Sequence, residues 1–443
     1  MLKPKPLLLI ALSLVFVGAE AASAQGIVMD ARLVAMGGGG GNSPNIARKM
    51  VPAATRAELV IPIPIGLIQT FKGGFDKFKP SSTGFDPLLA VETTGSALHY
   101  RFGADTGSTR TEFINDLVNG TVNPDLATYK GFDIQESYAS EGLFAPQFGK
   151  TFKFVKAADR FHGLYVGLGP YLSYRTDATV DPKLANLLGE GVRSPHSSML
   201  VSDESLAQVA GALTVGYRGR LPMGSSTGDR DGVYVAYNFH YLKGFKLYQP
   251  DLDVRFNTDA AGNLTASATP FSLVSVEGKS GSGFANDVGI QFVRGNVQFG
   301  VGVNGIGNRI NWTEFTRATY TLPSLTQGFD FVKTPGTAPY DELRVKLPVV
   351  KTANVGYEGH GWGATATVSD GYNGKSFSGG LERQVGPVWL RGGGRRYRDH
   401  WNPTVGFGVG TDKALDVALF STHANFQDER QWALAASVRI GMK

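Results

Sequence analysis

Few side chains in this 443-residue sequence have the types and spacing that catalysis or metal binding requires. Residues 224–228 match G-x-S-x-G, the pattern of a serine nucleophile on a strand-to-helix turn, but Pro222 precedes them and the polar residues 229–232 follow. A polar hairpin loop explains the pattern better. The seven histidines show no H-E-x-x-H or paired spacing, and the chain has no cysteine. We therefore predict no catalytic residues, no cofactor and no metal site, and expect a protein that is not an enzyme.

The remaining candidates are polar side chains that interrupt apolar segments. Seven of them are Arg218, His240, Asp287, Arg391, Arg395, Asp416 and Arg439. They share the non-apolar side of their segments, which in a membrane barrel faces the lumen, where partners or water satisfy charges. One explanation is salt-bridged packing against an N-terminal segment. The other is a polar conduit whose charges select solutes.

The segments that hold these side chains alternate apolar and non-apolar residues. The last one places Trp432, Leu434, Ala436, Val438 and Ile440 on one parity and Ala433, Ala435, Ser437 and Arg439 on the other. A period of two indicates strands. In a soluble sandwich the second face would carry Lys, Glu and Asp, whereas here it is mostly Gly, Ala, Ser and Thr. The pattern predicts an all-β fold, a transmembrane antiparallel β-barrel of about 14 strands.

Composition and the start of the chain support an exported membrane protein. The chain has 58 glycines and is 18% charged, compared with roughly 25% charged residues in typical soluble domains. Its net charge of +5 is spread out, without the basic and aromatic clusters of nucleic-acid binding. Lys3, Lys5, the apolar residues 7–19 and the small residues 22–24 predict a signal peptide over residues 1–24. We expect the outer membrane as the destination.

Two further regions follow the predicted signal peptide. Residues 25–95 are rich in glycine and proline and are expected to form a hatch, and residues 96–441 to form the barrel. Within 96–143, Phe113, Ile114, Leu117 and Leu126 have helical spacing, which predicts a partly helical insert. Residues 59–68 carry two prolines, so we expect them to pack inside the barrel or against its rim rather than form a central strand.

Two other features concern the edges of the membrane. Longer connectors are predicted at residues 181–205, 249–261 and 323–340. Aromatic residues at the segment ends are expected to form interfacial girdles. They are Tyr171, Tyr174, Tyr237, Tyr241, Tyr248, Trp312, Trp362, Tyr397 and Trp432.

Short motifs resemble one family of outer-membrane barrels. ARLVAMGGGG at residues 31–40, GLER at 380–383, LRGG at 390–393, PTVGFG at 403–408 and LDVA at 415–418 are similar to the long-chain fatty-acid transporter (FadL-like) superfamily, which includes conjugal-transfer TraF-type envelope proteins. The resemblance implies an N-terminal hatch inside the barrel. Residues 42–45 read Asn-Ser-Pro-Asn where the fatty-acid branch carries Asn-Pro-Ala, and the chain ends without the aromatic residue common in such barrels.

These observations lead to one functional expectation and two alternatives. The first is a channel or transporter for passive uptake or export of a small solute, with hydrophobic compounds among the candidates and outer-membrane lipid around it. The second is a non-transporting envelope or conjugal-transfer assembly protein that binds partner proteins through its long loops. The third is a secreted, soluble β-rich adhesin.

Overall fold

A computed structural model describes residues 30–38, 45–51, 58–63, 65, 99–102, 108–132, 134–145, 148–156, 160–223, 230–266, 270–339, 341–346, 349–371, 374–397, 400–410, 413–422 and 431–441. The predicted signal peptide, the end of the glycine run, the 224–228 motif and the predicted boundary at residue 95 lie outside these residues.

Strands dominate the described residues, with three α-helices and two 3₁₀ turns. The helices are α1 (Ala31–Ala35), α2 (Ser108–Asn119) and α3 (Pro182–Glu190), and the turns are Arg48–Met50 and Leu126–Tyr129. The first strands are β1 (Glu58–Ile63), β2 (His99–Phe102), β3 (Ser137–Phe144), β4 (Phe148–Lys156), β5 (Phe161–Val180), β6 (Ser198–Leu221), β7 (Gly232–Asn257), β8 (Phe271–Arg294) and β9 (Val297–Leu322). The others are β10 (Val332–Gly336), β11 (Leu343–Val345), β12 (Val350–Gly359), β13 (Trp362–Gly371), β14 (Gly374–Val385), β15 (Val388–Tyr397), β16 (His400–Val409), β17 (Lys413–Thr422) and β18 (Gln431–Gly441).

The 18 described strand segments occupy 14 strand positions, because several segments are collinear. Strands β3 and β4 pair with successive parts of β5, and β10, β11 and β12 pair with successive parts of β9. Strands β1 and β2 pair in the same way with β18, so the N-terminal strand position adjoins the C-terminal one. Every pairing is antiparallel between neighbours in this order, which is the topology of a β-barrel and confirms the predicted all-β barrel fold.

Side-chain exposure confirms the predicted alternation. On the apolar parity Leu168, Phe299 and Val405 are 62%, 54% and 52% exposed, and no second layer of described residues covers them. The alternate residues are buried, as shown by Gly300, Thr404 and Asp416. We call the apolar outward face the outer belt. Among the described residues, none of the helices combines the length and hydropathy needed to cross a membrane.

Strands β5 to β9 are much longer than those on the opposite side of the barrel. They have 20 to 26 residues, whereas β12 to β18 have 10 to 12. A tilted strand needs about 9–11 residues to cross a bilayer. On β7 the outward residues are apolar or aromatic from Val233 to Tyr241, then include Lys243 and Phe245, and end with Asp251 and Asp253. The long strands therefore extend beyond the outer belt into water.

This extension has its own hydrophobic core, formed with α2, α3 and the Leu126–Tyr129 turn. We call these three elements and the distal parts of β5–β9 the cap. Its core includes Phe113, Leu117, Leu187, Phe256 and Phe271, each 2% exposed or less. Asp181 caps the N-terminus of α3 through a hydrogen bond from Lys183 N, and the helix ends at Gly191 in the left-handed conformation. Within residues 96–143, the four residues with helical spacing lie in α2 and the Leu126–Tyr129 turn.

Three predictions about the strand ends are wrong. Glu58–Ile63 does not pack inside the barrel or against its rim, because it pairs with β18 along the wall. Tyr171, Tyr248 and Trp312 do not belong to an outward girdle, because they point inward and are 4%, 6% and 0% exposed. The connector expected at 181–205 is shorter, since β6 begins at Ser198, and the one expected at 249–261 is shifted, since β7 continues to Asn257 and β8 begins at Phe271. The last two errors share a cause: the strands continue into the cap, whose core needs inward aromatic residues.

Candidate functional site

The N-terminal segment, which we define as residues 30–38 and 45–51, packs on the inward face of the barrel wall. Asp30 caps α1 by accepting a hydrogen bond from Arg32 N at 2.9 Å. Ala31, Val34 and Ala35 are 1%, 3% and 0% exposed and pack against inward side chains of β17 and β18. The wall residues of this cluster are Ala418, Phe420, Ala433 and Ala435.

Glycines in the wall allow this segment to approach the strand backbone closely. A methyl group added at Gly380 or Gly393 would lie within 3.0 Å of Met36, and one at Gly302 within 3.0 Å of Asn45. Real Cβ atoms essentially never come so close, so the inner wall lacks side chains where the segment lies. This close contact explains part of the high glycine content on the inward parity.

A chain of alternating charges joins α1 to four strands. Arg32 binds Glu382 with two nitrogens, and Arg391 Nε donates to the same carboxylate at 3.0 Å. Arg391 Nη1 also donates to Asp416 Oδ1 at 2.7 Å, and Arg439 Nε donates to the other oxygen of Asp416. The Arg391, Glu382 and Asp416 side chains are 0%, 3% and 0% exposed. Each buried carboxylate thus has two guanidinium partners, as a buried charge requires.

Asn45 fixes the second part of the N-terminal segment. Its side chain is completely buried, and its Nδ2 donates to Gln291 Oε1 at 3.0 Å and to Asn354 Oδ1 at 3.1 Å. Its Oδ1 accepts a hydrogen bond from Ala47 N at 3.0 Å. One asparagine therefore connects the segment to β8 and β12, two strands that the charge chain does not include.

A third inward group consists of Thr214, His240 and Asp287 on three neighbouring strands. Thr214 Oγ1 lies 2.7 Å from His240 Nδ1, and His240 Nε2 lies 2.8 Å from Asp287 Oδ2. The order hydroxyl, imidazole, carboxylate matches that of nucleophilic catalysis, and no local motif in the sequence indicates it, since the three residues lie on different strands. Thr214 is 0% exposed, however, and Asp287 Oδ1 accepts a hydrogen bond from Gly305 N, where β9 is interrupted by a positive φ of 77°. The group therefore fixes an irregular point in the wall.

All seven side chains that the sequence placed on the inward parity are buried, with exposures of 9% or less. The structure joins Arg391, Asp416 and Arg439 in the charge chain, and His240 and Asp287 in the third group. Arg218 lies over the ring of Tyr165 at 4.4 Å and donates to backbone carbonyls, and Arg395 lies on β15 four residues beyond Arg391.

Sequence reasoning missed Arg32, Asn45 and Glu382, which hold the N-terminal segment. Glu382 shares the inward parity of β14 with Gly380 and Ser378, so its position was predictable in principle. The roles of Arg32 and Asn45 depend on contacts more than 200 residues away in sequence, which no local pattern carries. Within the described residues, no group of three or more acidic or histidine side chains is arranged to hold a metal ion.

Comparisons with known proteins show low similarity. No family model matches the sequence, and no curated protein matches it. The toluene transporter TbuX of Ralstonia pickettii is similar over 73% of this chain and 95% of its own, with 10% identity and a TM-score of 0.32. The toluene transporter TodX of Pseudomonas putida is similar over 72% and 90%, with 11% identity and a TM-score of 0.32. A mutant porin of Rh. blastica has 9% identity and a TM-score of 0.21 over 63% and 99%. Similarity at these TM-scores does not support a functional conclusion. The fold is assigned from the strand pairing and from the exposure of the side chains on the two faces of the wall.

Proposed function

We propose that this protein is an outer-membrane channel or transporter whose N-terminal segment closes the lumen and whose solute is small and hydrophobic. The observation that carries the proposal is the attachment of this segment to the inner wall by polar side chains at two places, Arg32 on β14 and Asn45 on β8 and β12. Hydrogen bonds and ion pairs of this kind can be broken without unfolding the barrel. The mechanism has no covalent step.

The outer belt supports the membrane location. Large side chains that are roughly half exposed continue around the wall, as in Leu168, Tyr241, Phe299, Leu381 and Val405. A soluble monomer rarely exposes so large an apolar surface, and a barrel has the backbone pairing that lipid requires. Short turns such as Arg294–Val297 and Gly359–Trp362 lie at the end opposite the cap. Because short turns face the periplasm in outer-membrane barrels, the cap faces outward.

An apolar region of the interior supports a hydrophobic solute. We call it the inner apolar patch, and it consists of Tyr171, Ala210, Ala212, Leu242, Leu247, Ala285, Ile310, Trp312 and Val345. It lies between the cap and the polar group of Thr214, His240 and Asp287. These side chains are packed together and are 6% exposed or less. A hydrophobic compound that enters from the cap would therefore have to separate apolar side chains before it reaches the N-terminal segment. Displacement of that segment would open an axial route.

Conductance and solute flux in reconstituted bilayers test this function. We expect Arg32→Gln/Asn45→Ala to increase the open fraction on the order of 100-fold or more, because losing a bond to a charged partner costs about 1.5–3 kcal/mol and leaving the buried partners of Asn45 unsatisfied costs about 1–3 kcal/mol. The matched control is Arg317→Gln/Asn119→Ala, which removes the same side-chain types from the surface of the cap. Heat-modifiable migration on a gel would show that both variants fold.

The result that contradicts the proposal is an absence of solute flux in the folded double variant. A non-transporting assembly protein predicts that result, since its function would depend on loops and not on the lumen. Equal conductance in the double variant and its control would instead show that the N-terminal segment does not close the lumen.

A further inference from the structure

A group of basic side chains lies on the outward surface directly above the outer belt, on β7 to β11. One row crosses four strands in register: Lys243 pairs with Ser282, Ser282 with Asn311, and Asn311 with Arg344. Lys243 and Arg344 are exposed at the two ends of this row. Neighbouring strands are about 4.8 Å apart, so the row spans about 14 Å.

Three more cations surround this row. Lys279 is exposed on β8, and Lys246 on β7 pairs with Glu277. Arg309 on β9 lies over the ring of Phe284, with 4.5 Å between its guanidinium carbon and the ring centroid. Five cations thus share this surface with Glu277 and Glu314. Beside Arg344, the exposed Asp341 and Glu342 add two acidic groups and the exposed Lys346 adds one basic group, so the net charge of the surface is small and positive.

Aromatic residues fix the depth of this surface in the membrane. Tyr241 pairs with Phe284 one step closer to the outer belt than the row, and Phe239 stacks on Phe284 with ring centroids 6.3 Å apart. Tyrosine and phenylalanine at this position mark the boundary of the hydrocarbon layer. Phe245 and Val209, 58% and 42% exposed, lie on the cap side of Lys243. The basic row therefore lies within the interfacial layer, where headgroups meet acyl chains, on the side of the membrane that faces the cap.

We propose that this surface binds the phosphorylated sugar headgroup of a glycolipid in the outer leaflet, an inference that rests on the outer-membrane location proposed above. Lysine and arginine are the usual partners of phosphate, and arginine contacts it with two parallel hydrogen bonds. Ser282 and Asn311 lie between the two end cations and offer hydroxyl and amide groups to sugar oxygens. The aromatic row below the cations would contact the first part of the acyl chains. The bound lipid would anchor the side of the barrel that carries the cap.

Binding of diphosphorylated lipid A to the purified, detergent-solubilised full-length protein tests this proposal. The test variant is Lys243→Gln/Arg344→Gln. The matched control is Lys351→Gln/Lys375→Gln, which removes two exposed cations from strands β12 and β14, where they flank Asp370 in register. Each cation near the membrane surface contributes about fivefold to the affinity for an anionic lipid. We therefore expect the affinity for lipid A to fall about 25-fold in the test variant and less than about twofold in the control. The fall should diminish at high salt.

Three outcomes would overturn the proposal. They are equal losses in the test and control variants, equal binding of dephosphorylated lipid A, and displacement of the lipid by inorganic phosphate at a concentration equal to that of the lipid. The first would show nonspecific attraction, the second a purely hydrophobic contact, and the third a simple anion site. Normal conductance together with any of these results would refute the glycolipid site alone, whereas a protein that needs no detergent would refute the membrane location as well.

Discussion

Replacing Asp416 by asparagine tests whether the inward charges hold the barrel together. The asparagine keeps the size of the side chain but removes the charge that faces Arg391 and Arg439. Each charge-assisted hydrogen bond contributes about 1.5–3 kcal/mol, and leaving a buried charge without its partner costs about 3–5 kcal/mol in measured cases. Since Asp416 is 0% exposed, water cannot replace the lost partner. We expect the free energy of unfolding to fall by about 3–5 kcal/mol.

Urea unfolding in lipid vesicles, followed by the shift between folded and unfolded bands on a gel, measures this change. The double variant Asp416→Asn/Arg439→Gln should be less destabilised than the sum of the single variants by at least about 1 kcal/mol, because removing both partners leaves fewer unpaired charges. Asp370→Asn, at an exposed position of β13, should change stability by less than about 0.5 kcal/mol. A cost for Asp416→Asn as small as that of the control, or strictly additive effects, would refute the reasoning.

Three further predictions concern the cap and the lumen. Burial and the nearby carboxylates raise the pKa of Asp203 in the cap to about 6. The folded state binds the proton of Asp203 more tightly than the unfolded state does. The stability that this proton contributes, about 3 kcal/mol, is therefore complete below about pH 4 and is lost as pH rises through 6. Asp203→Asn should abolish this pH dependence in urea titrations across the same range. Gly302→Val should displace Asn45 and raise conductance, because even a Cβ at position 302 would lie 2.6 Å from Asn45. Unchanged conductance would contradict the placement of Asn45 against this part of the wall. Trp312→Ala should lower the free energy of unfolding by about 3–5 kcal/mol, because the Trp312 side chain is 0% exposed. Trp362 is 46% exposed in the outer belt, so Trp362→Ala should lower the free energy of unfolding clearly less in the same assay.

The alternation of side chains was sufficient to predict the wall of the barrel. Val405 and Phe407 are apolar and face outward, whereas Thr404 is polar and faces inward. Local sequence shows this alternation directly, because hydrocarbon contacts every second side chain of a strand. The count of apolar segments along the chain predicts about 14 strands, whereas the structure has 18 strand segments. The two numbers differ because several of these segments lie end to end along one neighbouring strand. The wall could therefore be predicted without any tertiary information.

The cap and the docking of the N-terminal segment depend on contacts that local sequence does not show. Trp312 has the residue type of a membrane girdle, but it packs inward, where its Nε1 donates to Gln208 at 3.1 Å. Whether such a residue faces lipid or the interior depends on how far the strand continues beyond the membrane. In the same way, Arg391 and Asp416 had the right parity, whereas Arg32, which joins their charge chain through Glu382, lies in a helix that no wall pattern predicts.

The most direct test of the central claim is quenching of tryptophan fluorescence by lipids with brominated acyl chains. The chain has five tryptophans, so single-tryptophan proteins that keep only Trp362 or only Trp312 can be compared. Trp362 is 46% exposed on the outer belt and Trp312 is 0% exposed in the interior. We expect strong quenching of Trp362 and little quenching of Trp312 in reconstituted bilayers. Equal and weak quenching at both positions, with a protein that stays in solution without detergent, would contradict a transmembrane barrel.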